Sequence, residues 1–307
     1  MPRAPRLKMR SASRFRKILA ALAVIALVLA AWVVVSILTL PSVAPLAKPG
    51  VSLTITVKDW HRKDHLFVVG PRNPRWTPYG AIPAALKKAV VASEDAHFYS
   101  HDGVDYDAIQ EAIKADWRKG KFVHGGSTIT QQLAKNLFLT REKTLIRKVK
   151  ELVLARRLDD TLSKSRILEL YLNVVELGPM VYGIGHAAHY YFGKPPSALT
   201  VRECAFLASM LPGPRVYNPY RKMDRVMKRS DRILRRMVAS RMISREEYDA
   251  AMAEVPNLAG LARKVEKTLE TPPPEEKPPE DPPGGGPAII EGSPTAPPEP
   301  GSEESVR

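Results

Sequence analysis

The chain has 307 residues, 44% hydrophobic and 26% charged, with a formal net charge of +15 and a single cysteine. That is enough chain for one domain with a substantial core, and one thiol excludes an internal disulfide framework. Residues 1–17 carry +7 and the last 37 carry −6, which leaves +14 on residues 18–270, a field that favours a polyanionic or membrane-bound anionic partner.

Seven basic side chains and no acid fill residues 1–17, and the 23 residues from Ile18 to Leu40 contain no charge. A run of that length spans a hydrocarbon core of about 30 Å as a helix. It exceeds the apolar region of a signal peptide, about 7–15 residues, so it reads as an uncleaved anchor with the basic arm in the cytoplasm. The remainder is then expected on the periplasmic side of the inner membrane. That address removes nucleic acid as a partner and leaves an anionic lipid surface or a lipid diphosphate. Residues 41–79 read as a membrane-proximal linker and extended region, with strands at Val51 to Val57 and Leu66 to Val69.

Residues 80–270 are expected to form a mainly helical domain. Pro83 suits a first helical turn, and Ala84 to Ser93 reads as an amphipathic helix that delivers Glu94 at its end. Asp105 is placed to cap a helix running through Trp117 and stopping near Gly120. Thr128 with Gln131, Thr200 with Glu203 and Ser244 with Glu247 have the spacing of capping boxes. Further helix patterns cover about 141–160, 164–175, 201–211 and 222–240. Cys204, beside Ala205-Phe206-Leu207-Ala208, reads as a small buried hydrophobe. Residues 271–307 hold 12 prolines, five glycines and eight acids against two bases, a composition that cannot offset its ordering entropy, so an acidic disordered tail is expected.

Two blocks carry the chemistry. Glu94-Asp95-Ala96-His97-Phe98-Tyr99-Ser100-His101-Asp102-Gly103 concentrates carboxylates and imidazoles, and Gly125-Gly126-Ser127-Thr128-Ile129-Thr130-Gln131-Gln132-Leu133-Ala134-Lys135-Asn136 presents hydroxyls, amides and a cation at a helix start. Together they suit a pocket for a sugar and a phosphate, since free backbone N–H groups at a helix N-terminus favour anions. On a helix, Glu151 shares a face with Arg147 and stands one turn from Lys148, which taken alone describes an ordinary surface ion pair. His97 and His101 at i, i+4 lack a third ligand at a recognised zinc spacing. Trp117-Arg118-Lys119-Gly120-Lys121-Phe122-Val123 interleaves aromatics with bases, either as a solvated helix end or as a segment that touches the bilayer.

Five ordered stretches resemble the motifs of the family 51 peptidoglycan glycosyltransferases. They are Glu94-Asp95 with Phe98, His101 and Gly103; Gly126-Ser127-Thr128 with Thr130-Gln131-Gln132, Lys135 and Asn136; Arg147-Lys148 with Glu151 and Ala155; Lys164 with Ile167-Leu168-Glu169, Tyr171-Leu172-Asn173 and Gly178; and Ala205-Phe206-Leu207-Ala208 leading to Leu211-Pro212 and Tyr217-Asn218-Pro219. The resemblance implies a mainly α domain, a lysozyme-like lobe with a small membrane-proximal jaw, preceded by one transmembrane helix. It implies polymerisation of lipid II into β-1,4-linked glycan with release of undecaprenyl diphosphate.

On that resemblance Glu94 is the general base and Glu151 lies at the donor diphosphate, with Lys135 on the same phosphates. Asp95, His101, Ser127, Thr128, Gln131, Gln132, Asn136, Lys143, Arg147 and Lys148 complete the expected substrate site. Lys143 stands where relatives commonly have arginine, keeping the charge and losing the bidentate fork, so phosphate binding is expected either to be weaker there or to pass to Arg141 two residues earlier, and Asp159 stands where a glutamate is common. No cofactor is expected to be required, although magnesium or manganese suits a carboxylate such as Glu151. Expected partners are lipid II, the nascent strand, membrane lipid, and other cell-wall synthases or division proteins. No serine has a lysine three positions on and no Lys-Thr-Gly occurs, so no transpeptidase activity is expected. Two other readings compete: a lysozyme-like lytic glycosidase and a catalytically silent anchored scaffold.

Overall fold

The computed structural model of the protein describes residues 10–58, 63–119, 126–140, 144–211, 213, 214 and 216–259. The expectations placed on residues 1–9, Gly120 to Gly125, Arg141, Lys143, Pro212 and the 271–307 tail lie outside the described residues.

The first helix, α1, runs Arg10–Leu38, and its part from Phe15 to Leu38, 24 residues, is long and apolar enough to cross a bilayer. Beyond it, Val43 and Leu46 turn back into the core of the domain, and the Leu46 carbonyl accepts from Arg166 Nε at 3.0 Å. Strands β1 (Leu53–Lys58) and β2 (Asp64–Val69) pair antiparallel from Leu53 opposite Val69 to Lys58 opposite Asp64. They match the two expected strands, and the sheet leans on the helical domain through Val69, which is buried, and Phe67, whose ring lies 5.5 Å from that of Tyr182.

The helical domain holds α2 (Ala84–Glu94), α3 (Tyr106–Lys119), α4 (Ile129–Phe138), α5 (Leu145–Thr161), α6 (Lys164–Val174), α7 (Ile184–Phe192), α8 (Val201–Met210), α9 (Pro219–Ala239) and α10 (Arg245–Ala253). Their ends follow the expected chemistry. Pro83 is the N-cap of α2, Asp105 Oδ1 accepts from Ala108 N at 2.8 Å to open α3, and all three capping boxes form, on α4, α8 and α10. Helix α5 starts at Leu145, later than the apolar pattern suggests, because Thr144 accepts from Arg147 N and caps it. Helix α9 starts earlier, at Pro219, with Asn218 as its cap, and departs from helical geometry at Lys222.

Two packing layers decide where the polar site falls. Helix α4 packs on α5 and α6, and α2 packs on α8 and α9. Every residue of α8 from Arg202 to Met210 is buried, Cys204 among them, and burial pushes its thiol far above the usual cysteine range. Such a thiol is an inert core residue. Helix α7 and the short pair β3 (Glu176–Gly178) and β4 (Val181–Tyr182) are additions to the sequence-based expectation.

Candidate active site

Glu94 is the last residue of α2, so its carboxylate leaves the helix where α4, α6 and α9 converge. Its Oε2 accepts from Gln132 Nε2 at 3.0 Å, and Tyr171 donates its hydroxyl to Gln132 Oε1 at 3.1 Å. Its Oε1 accepts from Arg229 Nη2 at 3.1 Å. The side chain is only 8% exposed, and this desolvation drives the carboxyl above the usual carboxylate range, opposed by Gln132, Arg229 and the charge of Lys135. A carboxylate made more basic in this way accepts a proton more readily near neutral pH.

The second cluster sits on α5. Glu151 is 3% exposed, which overturns the surface ion pair that its sequence neighbourhood alone describes. Arg147 Nη1 donates to one of its oxygens at 2.6 Å and Lys148 Nζ to the other. Lys148 also donates to Ser127 Oγ at 3.0 Å, tying α5 to the segment just before α4. Lys135 joins the clusters electrostatically. Solvent still reaches its side chain, yet surrounding protein pulls its ammonium below the ordinary lysine value, Arg147 and Lys148 pull it the same way, and Glu151 and Glu94 oppose. Asn136, beside it on α4, is half-buried.

The remaining residues of the first two blocks hold this arrangement together. Asp95 is buried, takes His101 Nε2 at 3.0 Å on one oxygen and accepts from Ile129 N at 2.9 Å on the other. It therefore fastens the Glu94 loop to the first turn of α4. Thr128 and Gln131 are buried, and their side chains are occupied by the capping box, with Thr128 Oγ1 also donating to Gly103 O at 2.7 Å. Gly103 has φ +82°, and a Cβ there would meet the Ala155 carbonyl at 2.6 Å, so a side chain would push the loop off α5. Lys164 donates to His101 O, pairs with Asp159 at 2.7 Å and lies 4.9 Å from the centroid of the buried Phe98 ring. The aspartate at position 159 thus still supports the loop that presents Glu94. His97 turns away from His101 to Asp105, at 3.0 Å, and no cluster of three or more metal-ligating side chains occurs among the described residues.

The profile described as Transglycosylase matches residues 63–238, more than half of the chain. The chain belongs to the transglycosylase family. It is 46% identical over 181 residues to the biosynthetic peptidoglycan transglycosylase of Herminiimonas arsenicoxydans, covering 57% of this chain and 78% of that protein. Against the protein of the same description from Paraburkholderia xenovorans (strain LB400) the identity is 49% over 167 residues, 54% of this chain and 70% of the relative. It is also 46% identical over 171 residues to penicillin-binding protein 1A of Aquifex aeolicus (strain VF5), where the match spans 56% of this chain and 24% of the relative.

In this transglycosylase the matched region holds both carboxylate clusters, the cations around them and α9. Arg229 is the contributor that sequence reading missed. It is one of many cations on a strongly basic helix and lies 135 positions after its partner Glu94, so no local pattern distinguishes it.

Proposed function

We propose that this transglycosylase polymerises lipid II into β-1,4-linked glycan strands, working from the membrane as an anchored periplasmic enzyme with its N-terminus in the cytoplasm. The observation that supports it best is the pairing of a desolvated carboxylate, Glu94, with a separate cationic cluster of Lys135, Arg147 and Lys148. Diphosphate is a good leaving group and asks for cations more than for a strong acid. Glu94 takes the proton from the acceptor's 4-hydroxyl. The freed oxygen attacks the donor's anomeric carbon as the carbon–oxygen bond to the diphosphate breaks on the opposite face, with inversion, and undecaprenyl diphosphate departs with the bonding pair.

In this reading Lys135 neutralises the departing phosphates. Glu151 orients the cations: one carboxylate, held on both oxygens, spaces Arg147 and Lys148, and Lys148 brings Ser127 with it. Asn136, half-buried beside Lys135, is a further contact for the same anion, whereas the first N–H groups of α4 are taken up within the protein, Ile129 N by Asp95 and Gln131 N by Thr128 Oγ1. Thr128, Gln131, Asp95 and His101 act by shaping the loop. A divalent ion does not fit well at Glu151, because each oxygen already has a cationic partner.

A lytic glycosidase must protonate a poor sugar leaving group and has no use for the three cations Lys135, Arg147 and Lys148. A silent scaffold has no use for a buried carboxylate of raised basicity. The deciding experiment incubates the wild type and Glu94→Gln with labelled lipid II in detergent and separates products by size. Long glycan from the wild type, absent from the variant, is the expected result. Shortening of preformed glycan would favour the lytic enzyme, and no turnover of either substrate would favour the scaffold.

A further inference from the structure

The block Tyr217-Asn218-Pro219 has no part in the chemistry above, yet it builds the contact that Arg229 makes. Asn218 Oδ1 accepts from Tyr220 N at 2.9 Å and Pro219 opens α9, so the block fixes where that helix begins. The ring of Tyr217 lies 5.3 Å from the Arg229 guanidinium, a cation–π distance. Arg229 is thus held from behind by an aromatic face while its Nη2 reaches Glu94 Oε1. On the other side, the acceptor-only Glu94 carboxylate turns the Gln132 amide so that Nε2 faces Oε2, and the Tyr171 hydroxyl braces that orientation by donating to the amide's Oε1.

We infer that Arg229, supported by Tyr217, is a positioning residue for the transfer reaction: with Gln132 it clamps the Glu94 carboxylate, one donor per oxygen, in the rotamer that receives the acceptor's proton. The inference rests on the assignment of Glu94 as base. A carboxylate offers about four lone-pair sites, so two donors leave room for the acceptor hydroxyl. A clamp on both oxygens removes the rotation that would otherwise have to be frozen at each turnover.

The charges around Glu94 give the clamp a chemical signature. From α4 come Gln132 and Lys135, from α6 the Tyr171 phenol, and from α9 Arg229; Arg236 of α9 turns to the Ala92 carbonyl. Asp95, next in sequence, is bound to His101 and Ile129 N. The charged residues of α8, which packs on α2, are engaged elsewhere: Arg202 with Asp231 and Glu203 with Lys194. Arg229 is the cation in hydrogen-bond contact with Glu94. Burial lifts the carboxyl and Arg229 restrains the lift, so removing the guanidinium leaves the base protonated up to a higher pH.

The test uses the full chain in detergent with labelled lipid II from pH 5.5 to 9.5, comparing wild type, Arg229→Met, Tyr217→Leu and Glu94→Gln. For Arg229→Met the expected result is a fall in kcat of about 10- to 100-fold at pH 7, with KM for lipid II nearly unchanged because the cations on α4 and α5 are intact. Its acid limb should move to higher pH, and activity should partly return at pH 9. Tyr217→Leu should move the limb in the same direction by less. An Arg229→Met enzyme whose acid limb coincides with the wild type overturns the inference, whatever its rate. If Arg229→Met shows no cooperative melt, Tyr217→Leu decides, and an unmoved limb there overturns it. If Glu94→Gln polymerises as well as the wild type, the assignment of the base is what has failed.

Discussion

Lys148 reaches Ser127 Oγ at 3.0 Å and grips the Glu151 carboxylate with the same ammonium. One side chain therefore sets both the height of the segment before α4 and the charge balance of α5. Replacing it with methionine keeps most of the packing and removes both contacts. Glu151 is then left to Arg147 alone, with its side chain 4% exposed. Loss of the sole partner of a buried charge costs about 3–5 kcal/mol, and less is expected here because Arg147 remains and Lys148 is partly exposed; loss of a preorganised donor at developing charge costs about 10²–10³ in kcat. Thermal melts and lipid II turnover measure the two effects separately. Full activity in Lys148→Met would remove the α5 cluster from the diphosphate site.

Glu94→Gln should separate activity from stability. Because burial raises the folded-state pKa of Glu94, the carboxyl adds stability while protonated, at acidic pH. That contribution is lost as pH rises through the folded pKa, so the carboxyl stabilises the fold less toward alkaline pH than at acidic pH. The glutamine variant should melt at or above the wild type at pH 7 and lose this advantage toward pH 4, while turnover falls by about 10²–10⁴. A variant that melts well below the wild type at pH 7 would show that Arg229 and Gln132 outweigh the desolvation of Glu94.

Gly103 should tolerate no side chain. Its φ of +82° disfavours L-residues, and an added Cβ would lie 2.6 Å from the Ala155 carbonyl, a backbone atom that cannot swing aside. Gly103→Ala should therefore destabilise by about 1–3 kcal/mol, read by denaturant unfolding of the purified protein. It should also displace the Glu94 loop, lowering kcat beyond what the folded fraction explains. A variant of wild-type stability would mean that the α5 backbone gives way easily.

The helix ends were the most legible part of the fold, because capping is local chemistry. Thr128 with Gln131, Thr200 with Glu203 and Ser244 with Glu247 all close the boxes their spacing announces. Glu94 was legible as a helix-end carboxylate for the same reason. Helix α7 was not: Ile184–Phe192 is apolar or aromatic around most of its surface and lacks a capping side chain, so it shows neither a polar face nor a start signal. Strands β3 and β4, three and two residues long, carry too little pattern to read. Glu151 looked like a surface ion pair because i, i+4 spacing says nothing about burial, which α4 imposes from outside. Arg229 depended wholly on tertiary structure, since α9 repeats basic residues on every turn.

Thr128 offers a test of what belongs to the fold and what to the substrate. Its hydroxyl accepts from Gln131 N at 3.1 Å and donates to Gly103 O at 2.7 Å, and the residue is 3% exposed. Those two bonds occupy the side chain, so the hydroxyl has no hydrogen left to offer an anion. Thr128→Ser keeps both bonds and should behave as the wild type. Thr128→Val loses the cap and strands the Gly103 carbonyl, costing about 1–2 kcal/mol, which lowers the melting temperature by roughly 2–8 °C for a domain of this size. When rates are normalised to folded enzyme at a temperature well below the melt, KM for lipid II should stay within about twofold of the wild type, since uniform binding energy is unchanged. A KM raised tenfold or more in a valine variant of intact stability would make the Thr128 hydroxyl a direct ligand of the substrate.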